Sequence, residues 1–166
     1  MLISEKLNRA INDQIGSELG ASNQYLQLAA HFGSEDLPEM ATFFFRQADE
    51  ERGHALKFVH YILDAGGKVA VPAVKAPVVE VKSAEHAAQM SLDWEKQVTN
   101  QINALQAMAT EEKDFAALRF LGWFSEEQIE EVATMSELLN AIRRAGDQVL
   151  MIEAYLARRG DPHGGK

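Results

Sequence analysis

The sequence contains no cysteine. Without thiols the chain cannot form disulfides, zinc–thiolate sites, iron–sulfur clusters or a thiol nucleophile. It also lacks an apolar run of membrane-spanning length, and its first five residues, MLISE, do not have the apolar stretch of a signal peptide. We therefore expect a cytoplasmic protein with no membrane partner. At 166 residues, the chain is long enough for one domain with its own core and too short for two.

Basic residues are in the minority. The 16 Lys and Arg against 25 Asp and Glu give a formal charge of −9 at pH 7. A surplus of negative charge repels phosphate backbones and anionic lipids, which argues against nucleic acid as a partner. It suits a protein that attracts cations, although many proteins are equally acidic and the charge alone selects no function.

Prolines are also few, and the four of them, at positions 38, 72, 77 and 162, leave long proline-free segments. Within each segment apolar residues recur every three or four positions, which is the helical period and not the alternation of a strand. Caps and glycines predict five helices, with Ser4, Ser83 and Asp147 as N-caps and Gly33 as the stop of the first helix. The predicted helices span residues 4–32, 37–65, 83–112, 114–145 and 147–159. The fold class is therefore an all-α bundle, and we expect residues 161–166 to be a flexible tail.

The segment between the second and third helices is long and rich in valine. Residues 66–82 contain two glycines and two prolines, a composition that favours extended chain over helix. Extended, the 17 residues reach up to roughly 56 Å, whereas a helix of about 29 residues is roughly 43 Å long. The other connections between long helices are short and force antiparallel neighbours. We expect two antiparallel hairpins joined by one long crossover.

The apolar face of every long helix is interrupted by polar residues that ought to be buried. These residues are Glu18 in the first helix, Glu51 and His54 in the second, Glu95 in the third, and Gln128 and Glu131 in the fourth. At 1.5 Å per residue the four acids lie roughly 21 to 26 Å from one end of the bundle, so they converge on one level. Buried carboxylates at one height repel each other unless cations neutralise them, and the faces carry no matching Lys or Arg. The pattern therefore predicts a metal site.

The ligand types indicate which metals fit. Carboxylate oxygens with one imidazole and no sulfur argue against zinc fingers, copper sites and clusters. The pair Glu51-x-x-His54 is the i, i+3 motif of carboxylate-bridged two-iron and two-manganese helical bundles, where the Glu bridges both metals and the His binds one. The motif is common when it stands alone, and it gains weight here from the acids on the other three helices.

At this point the sequence resembles the bacterial non-haem ferritins. The resemblance rests on Glu18 with Tyr25, the segment ADEERGHA at 48–55, Glu95, and the segment WFSEEQIEE at 123–131, in that order and spacing. It covers essentially residues 4–159, so residues 1–160 would form one ferritin-like domain with a short fifth helix. The resemblance implies a subunit of a hollow 24-subunit cage that oxidises Fe(II) with O₂ or H₂O₂ and stores ferric mineral inside.

The resemblance also implies the roles of individual residues. Glu18, Glu51 and His54 would bind one iron of a ferroxidase centre, and Glu51 would bridge to a second iron that is also bound by Glu95, Glu131 and Gln128. A third iron site, typical of bacterial ferritins, would use four acids. These are Glu50, Glu127, Glu130 and Glu131.

Haem binding is not expected. Bacterioferritins carry a second ExxH motif on the fourth helix, where this sequence has Glu127-Gln128-Ile129-Glu130. They also present a methionine to haem one place after the bridging Glu of the second helix, and here that place is Arg52. Rubrerythrins add a cysteine-rich iron domain, which a cysteine-free chain cannot have.

Two questions stay open at the level of the sequence. Tyr25 lies two helical turns after Glu18 on the same face, where it either supplies an electron or only satisfies a carboxylate by hydrogen bonding. The bundle is either a storage protein or another two-metal carboxylate enzyme, such as a bacterioferritin-like protein, a manganese catalase or an oxygenase. In the third alternative the chain is a purely structural bundle whose carboxylates bind nothing.

Overall fold

The computed structural model describes residues 2–160, and the predicted tail at 161–166 lies outside the described residues. Five helices make up this part of the chain, and within it there is no strand. They are α1 (Glu5–Ser34), α2 (Pro38–Asp64), α3 (Ala84–Glu111), α4 (Phe115–Ala145) and α5 (Val149–Arg159). The all-α prediction is confirmed. Across residues 2–160, none of these helices combines the length and the apolarity needed to cross a membrane.

The predicted caps are correct at two helices and wrong at two positions. Ser4 and Ser83 each accept a hydrogen bond from a backbone N–H of the first turn at 3.0 Å. Gly33 does not end α1, because the helix continues to Ser34 and the left-handed residue of the turn is Asp36, with φ 57°. Aspartate tolerates that conformation better than most residues, so a glycine is not required there. Asp147 does not cap α5, which begins after Gln148 without a side-chain cap.

The crossover at residues 65–83 runs along α1. Side-chain amides of α1 bind its backbone in both directions: Asn8 with Lys68, and Gln24 with Val78, at distances of 2.7 to 3.0 Å. The close approach leaves no room for a side chain at Gly16, where a Cβ would lie 2.5 Å from Pro72 Cγ. The anchors at residues 8 and 24 are roughly 24 Å apart along α1, so the crossover follows much of the length of the bundle.

The topology follows from these connections. Helices α1 and α2 form one antiparallel hairpin and α3 and α4 form the other. We refer to the end where α1 begins as the lower end of the bundle and to the opposite end as the upper end. The short helix α5 lies at the upper end, where both carboxylate oxygens of Glu153 accept hydrogen bonds at 2.8 Å from the backbone N–H groups of Glu39 and Met40 at the start of α2. A carboxylate at a helix N-terminus is favourable because it satisfies free N–H groups at the positive end of the helix dipole.

The buried apolar residues fall into two clusters instead of one continuous core. The lower core contains Ile11, Phe58, Phe124 and their neighbours, and the upper core contains Phe32, Phe44, Leu138 and their neighbours. Between them lies a slab of buried polar side chains, which we call the polar layer. Its members include Gln14, Glu18, Gln47, Glu51, His54, Glu95, Glu127, Gln128 and Glu131. The fold thus buries a set of acids at mid-height in the bundle.

Candidate metal centre

The four long helices each place one glutamate at the centre of the polar layer. Glu18, Glu51, Glu95 and Glu131 are at most 1% exposed. Two groups of three side chains bring their ligand atoms within 4.8 Å of one another, Glu18 with Glu51 and His54, and Glu51 with Glu95 and Glu131. Glu51 belongs to both groups, so the geometry offers two adjacent cation positions that share one carboxylate. The structure therefore brings together the acids and the histidine that the sequence singled out for the two-metal site.

Three carboxylate oxygens in the layer are buried without a hydrogen bond from any other side chain or backbone group in the described part of the chain. They are Glu18 Oε2, Glu51 Oε1 and Glu131 Oε1. Glu18 and Glu51 are close enough to share a proton when one of them is protonated. Buried polar atoms are normally satisfied, and leaving one unpaired costs about 1 to 3 kcal/mol. Oxygens of this kind fit a cation, which would supply the missing partner.

Burial raises the pKa of all four glutamates. For Glu51 and Glu131 the negative charges of the neighbouring acids raise the pKa further, so both lie well above the usual range. For Glu95 burial brings the pKa to about 7, although hydrogen bonds from Tyr25 and Gln128 oppose the shift. Without a cation, some of these groups hold protons at neutral pH. A metal ion that binds here must therefore displace protons.

Glu95 is held by two neighbours that the sequence placed in the site. The hydroxyl of Tyr25 donates to Glu95 Oε1, and burial together with the Glu95 charge raises the pKa of Tyr25 well above its usual value. Gln128 donates from Nε2 to Glu95 Oε2 at 3.3 Å and to the Glu95 carbonyl oxygen at 3.1 Å. An amide nitrogen does not bind a cation, so a ligand role for Gln128 would fall to its Oε1 atom.

A third group of possible ligands lies beside the first two. It consists of Glu50, His54, Glu127 and Glu131, whose ligand atoms also lie within 4.8 Å of one another. We call it the outer group, since Glu50 is only partly buried. Glu50, Glu127 and Glu131 match the expected third site, whereas Glu130 lies outside the group, partly buried on α4, and His54 completes the group instead.

Two buried glutamines that were not among the predicted site residues contact the acids. Gln14 Nε2 donates to Glu18 Oε1 at 2.8 Å, and Gln47 Nε2 donates to Glu131 Oε2 at 3.0 Å. Each precedes a site glutamate of its own helix by four residues, so the helical period placed both on the inward face. The contact between Gln47 and Glu131 joins α2 to α4, which no spacing within one helix predicts.

The fold and the site together define a class, that of all-α bundles with a buried layer of carboxylates and a histidine that could hold metal ions. Residues 8–145 match the Ferritin-like domain family. The chain is 39% identical over 156 residues to ferritin BfrB of Mycobacterium tuberculosis, covering 94% of this chain and 86% of that protein. It is 37% identical over 154 residues to a bacterial non-heme ferritin of Staphylococcus aureus, covering 93% of each.

Solved structures agree with the sequence comparison. An open pore ferritin from the archaeon Archaeoglobus fulgidus superposes with a TM-score of 0.92 at 34% identity, covering 96% of this chain and 99% of that one. The chain thus belongs to the ferritin family.

Proposed function

We propose that this chain is an iron-storage ferritin subunit, and that its polar layer oxidises Fe(II) to Fe(III) with O₂ or H₂O₂ before the iron is deposited as a ferric mineral. Residues 1–160 would act as one domain in this role. Membership of the ferritin family supports iron storage. The observation that carries the oxidation step is the pair of ligand groups that share Glu51, with their unpaired buried oxygens.

The residues have distinct tasks in this proposal. Glu18 and His54 bind one Fe(II), Glu95 and Glu131 bind the other, and Glu51 holds the two at a short separation. With O₂, two Fe(II) give two electrons, and two protons complete the reduction to H₂O₂; with H₂O₂, two electrons and two protons give two molecules of water. Hard carboxylate oxygens stabilise Fe(III) more than Fe(II), so the ligand set favours oxidation. The protons that iron displaces from the raised-pKa acids are released within the site.

The outer group is proposed as a third iron position that receives or passes on iron. Glu50, Glu127 and Glu131 supply hard oxygen ligands, and His54 supplies one nitrogen. Because Glu131 and His54 also belong to the inner groups, an ion at the outer position shares its ligands with the oxidation site. Glu130 remains a proposed ligand of this third position, and the amide oxygen of Gln128 remains a proposed ligand of the second iron of the oxidation site. Side-chain movement would have to bring in both.

Assembly into a 24-subunit cage is also proposed. Of the apolar residues of α5, Ile152 and Leu156 are buried against the chain's own bundle, and Tyr155 packs partly against it. Leu150 stays 72% exposed beside the exposed Met151, and Phe115 at the other end of the bundle is 76% exposed. Large exposed apolar side chains are typical of surfaces that are covered in an oligomer. Native mass spectrometry that finds only monomers or dimers would contradict the cage.

Oxygen-electrode measurements test the proposed oxidation. Fe(II) added anaerobically and then exposed to O₂ should show a fast phase that saturates at two irons per chain, and the matched variant Glu18→Ala should lose it. A fast phase that is unchanged in the variant, or binding of no iron at all, would leave a structural bundle as the better description. Rapid disproportionation of H₂O₂ by manganese-loaded protein, without net iron oxidation, would instead favour a catalase.

A further inference from the structure

Three of the four glutamates belong to only one of the two inner groups, and each of the three accepts a hydrogen bond from a glutamine amide. Glu18 receives its hydrogen bond from Gln14, Glu131 from Gln47, and Glu95 from Gln128. In Glu18 and Glu131 the second oxygen, Oε2 and Oε1 respectively, is the buried oxygen without such a partner. The amide therefore leaves one defined oxygen of Glu18 and one of Glu131 available to a cation.

We propose that Gln14 and Gln47 are positioning residues that set the two cation positions separately. Gln14 would act on the position formed by Glu18, Glu51 and His54, and Gln47 on the position formed by Glu51, Glu95 and Glu131. The inference deepens the proposed function and rests on it, because it assumes that both positions bind metal. Neither glutamine is a ligand, since both turn their nitrogen toward the acid.

An amide is suited to this task because it donates a hydrogen bond without carrying charge. A Lys or Arg at the same place would neutralise the carboxylate and compete with the cation for it. The hydrogen bond to an ionised oxygen favours the charged form of the acid, the form that binds metal. Partners of this kind orient ligands, and their removal typically costs about 10- to 100-fold in metal affinity.

The orientation of the Gln14 amide is itself fixed by neighbours. Gln101 Oε1 accepts a hydrogen bond from Ser17 Oγ at 2.7 Å and a second one from Gln14 Nε2 at 3.3 Å. Because this carbonyl oxygen on α3 can only accept, the nitrogen of Gln14 must face it, and the same nitrogen then reaches Glu18. The chain of contacts ties the α1 carboxylate to α3 outside the polar layer.

Gln47 works across helices. It lies one turn before Glu51 on α2, is 3% exposed, and reaches the Glu131 carboxylate on α4. Glu131 belongs to the second inner group and to the outer group, and not to the group that contains Glu18. Loss of the Gln47 hydrogen bond should therefore disturb the second position and leave the first one intact.

Cobalt(II) binding to metal-free protein, measured by calorimetry, tests whether each glutamine acts on one cation position only. Two background variants each leave one inner cation position. Glu95→Ala removes the position formed with Glu131, and Glu18→Ala removes the position formed with His54. Both backgrounds also carry Glu127→Gln, which weakens the outer group. Into each we place Gln14→Met or Gln47→Met, which remove the amide with little change in volume. Gln24→Met is the matched control, because Gln24 is an equally buried α1 amide that binds only the crossover backbone among its described contacts.

We expect Gln14→Met to lower cobalt affinity about tenfold in the Glu95→Ala background and less than twofold in the Glu18→Ala background. Gln47→Met should give the reverse, and Gln24→Met should change neither by more than twofold. Equal losses at both positions, no loss at either, or the same loss in the control would overturn the inference. If the otherwise unmodified chain fails to bind two cobalt ions, the proposed two-metal function fails instead, and the two failures are thereby distinguished.

Discussion

The lower core and the polar layer are buried to a similar degree, yet only the lower core is filled with favourable contacts. In the lower core the rings of Phe58 and Phe124 stack with their centroids 4.1 Å apart, and Phe120 meets Phe124 edge to face at 5.4 Å. In the polar layer, about two helical turns above these rings, four glutamates face one another and three of their oxygens are unpaired. His54 joins the regions, because its ring packs edge-on against Phe124.

The apolar cores stabilise the bundle, and the polar layer destabilises it. Aromatic burial of this kind is worth several kcal/mol per side chain. Buried like charges are unfavourable until a cation or protons neutralise them. The two apolar cores therefore hold in place a set of acids that would otherwise move apart, and the unfavourable layer is the part with affinity for metal.

The largest expected effect comes from breaking the polar layer at the shared ligand. Glu51→Ala and His54→Ala should each lower the rate of the fast Fe(II) oxidation phase by about a hundredfold or more, because both remove a ligand from two of the three groups. Stopped-flow absorbance of ferric product gives the rate. Circular dichroism should show unchanged helix content, and wild-type rates in both variants would mean that the site is assigned wrongly.

A truncation to alanine in the lower core should instead lower stability and leave iron binding intact. Phe58→Ala removes a fully buried ring and should lower the free energy of unfolding by about 3–5 kcal/mol, through lost burial and the cavity left behind. Because Phe58 touches no metal ligand in the stacking contacts described, the two-iron stoichiometry should persist at temperatures where the variant is folded. A variant with normal stability but no iron binding would contradict the separation of the two regions.

The pH dependence of stability should distinguish the two regions in metal-free protein. Burial raises the pKa of Glu95 from 4.5 to about 7, so the folded state holds the proton more tightly than the unfolded state. The stabilisation from that proton is complete below pH 4.5 and is lost as the pH rises through 7. This difference in the pKa of Glu95 corresponds to about 3 kcal/mol of stability. Thermal unfolding between pH 5 and 8 measures the loss, which Glu95→Gln should reduce; a rise in stability over this range would contradict the sign.

The smallest expected effect concerns the outer group. Glu127→Ala should keep the first fast oxidation of two irons per chain but change the later rate and the O₂ consumed per iron by up to several-fold. Glu130→Ala changes a residue outside the outer group, so it should alter the later rate and the O₂ consumed per iron less than Glu127→Ala does. An oxygen electrode with sequential additions of two irons per chain makes the comparison. Identical ratios of O₂ to iron in wild type and Glu127→Ala would contradict the third iron position. A loss of rate that added salt also produces in wild type would indicate that the acids only attract cations by their charge.

Much of this comparison is already present in the sequence. The period of 3.6 residues places Glu18, Glu51, Glu95 and Glu131 on buried faces, and the rise per residue brings them to one height. Both rules act within a single helix, so they hold whatever the neighbouring helices do. The length of the crossover likewise predicts that it can run along the bundle and join the two hairpins, because the reach of a chain is set by covalent geometry.

What the sequence did not predict depends on contacts between helices or on small energy differences. Gln47 reaches Glu131 from another helix, and His54 lies in the outer group in place of Glu130, since side-chain direction and not spacing decides both. The end of α1 shifted because Asp36, instead of Gly33, adopts the left-handed conformation, at a cost that the turn tolerates. The pKa values of the acids are likewise a property of the assembled layer.

Anomalous diffraction from crystals soaked anaerobically in Fe(II), with data at the iron edge, tests most directly whether the polar layer binds a pair of iron ions. We predict two peaks within one site, one bounded by Glu18, Glu51 and His54 and the other by Glu51, Glu95 and Glu131. Glu51→Ala crystals should lack both. Iron peaks confined to the surface of wild-type crystals, or a polar layer that stays free of iron at saturating concentration, would contradict the two-iron site.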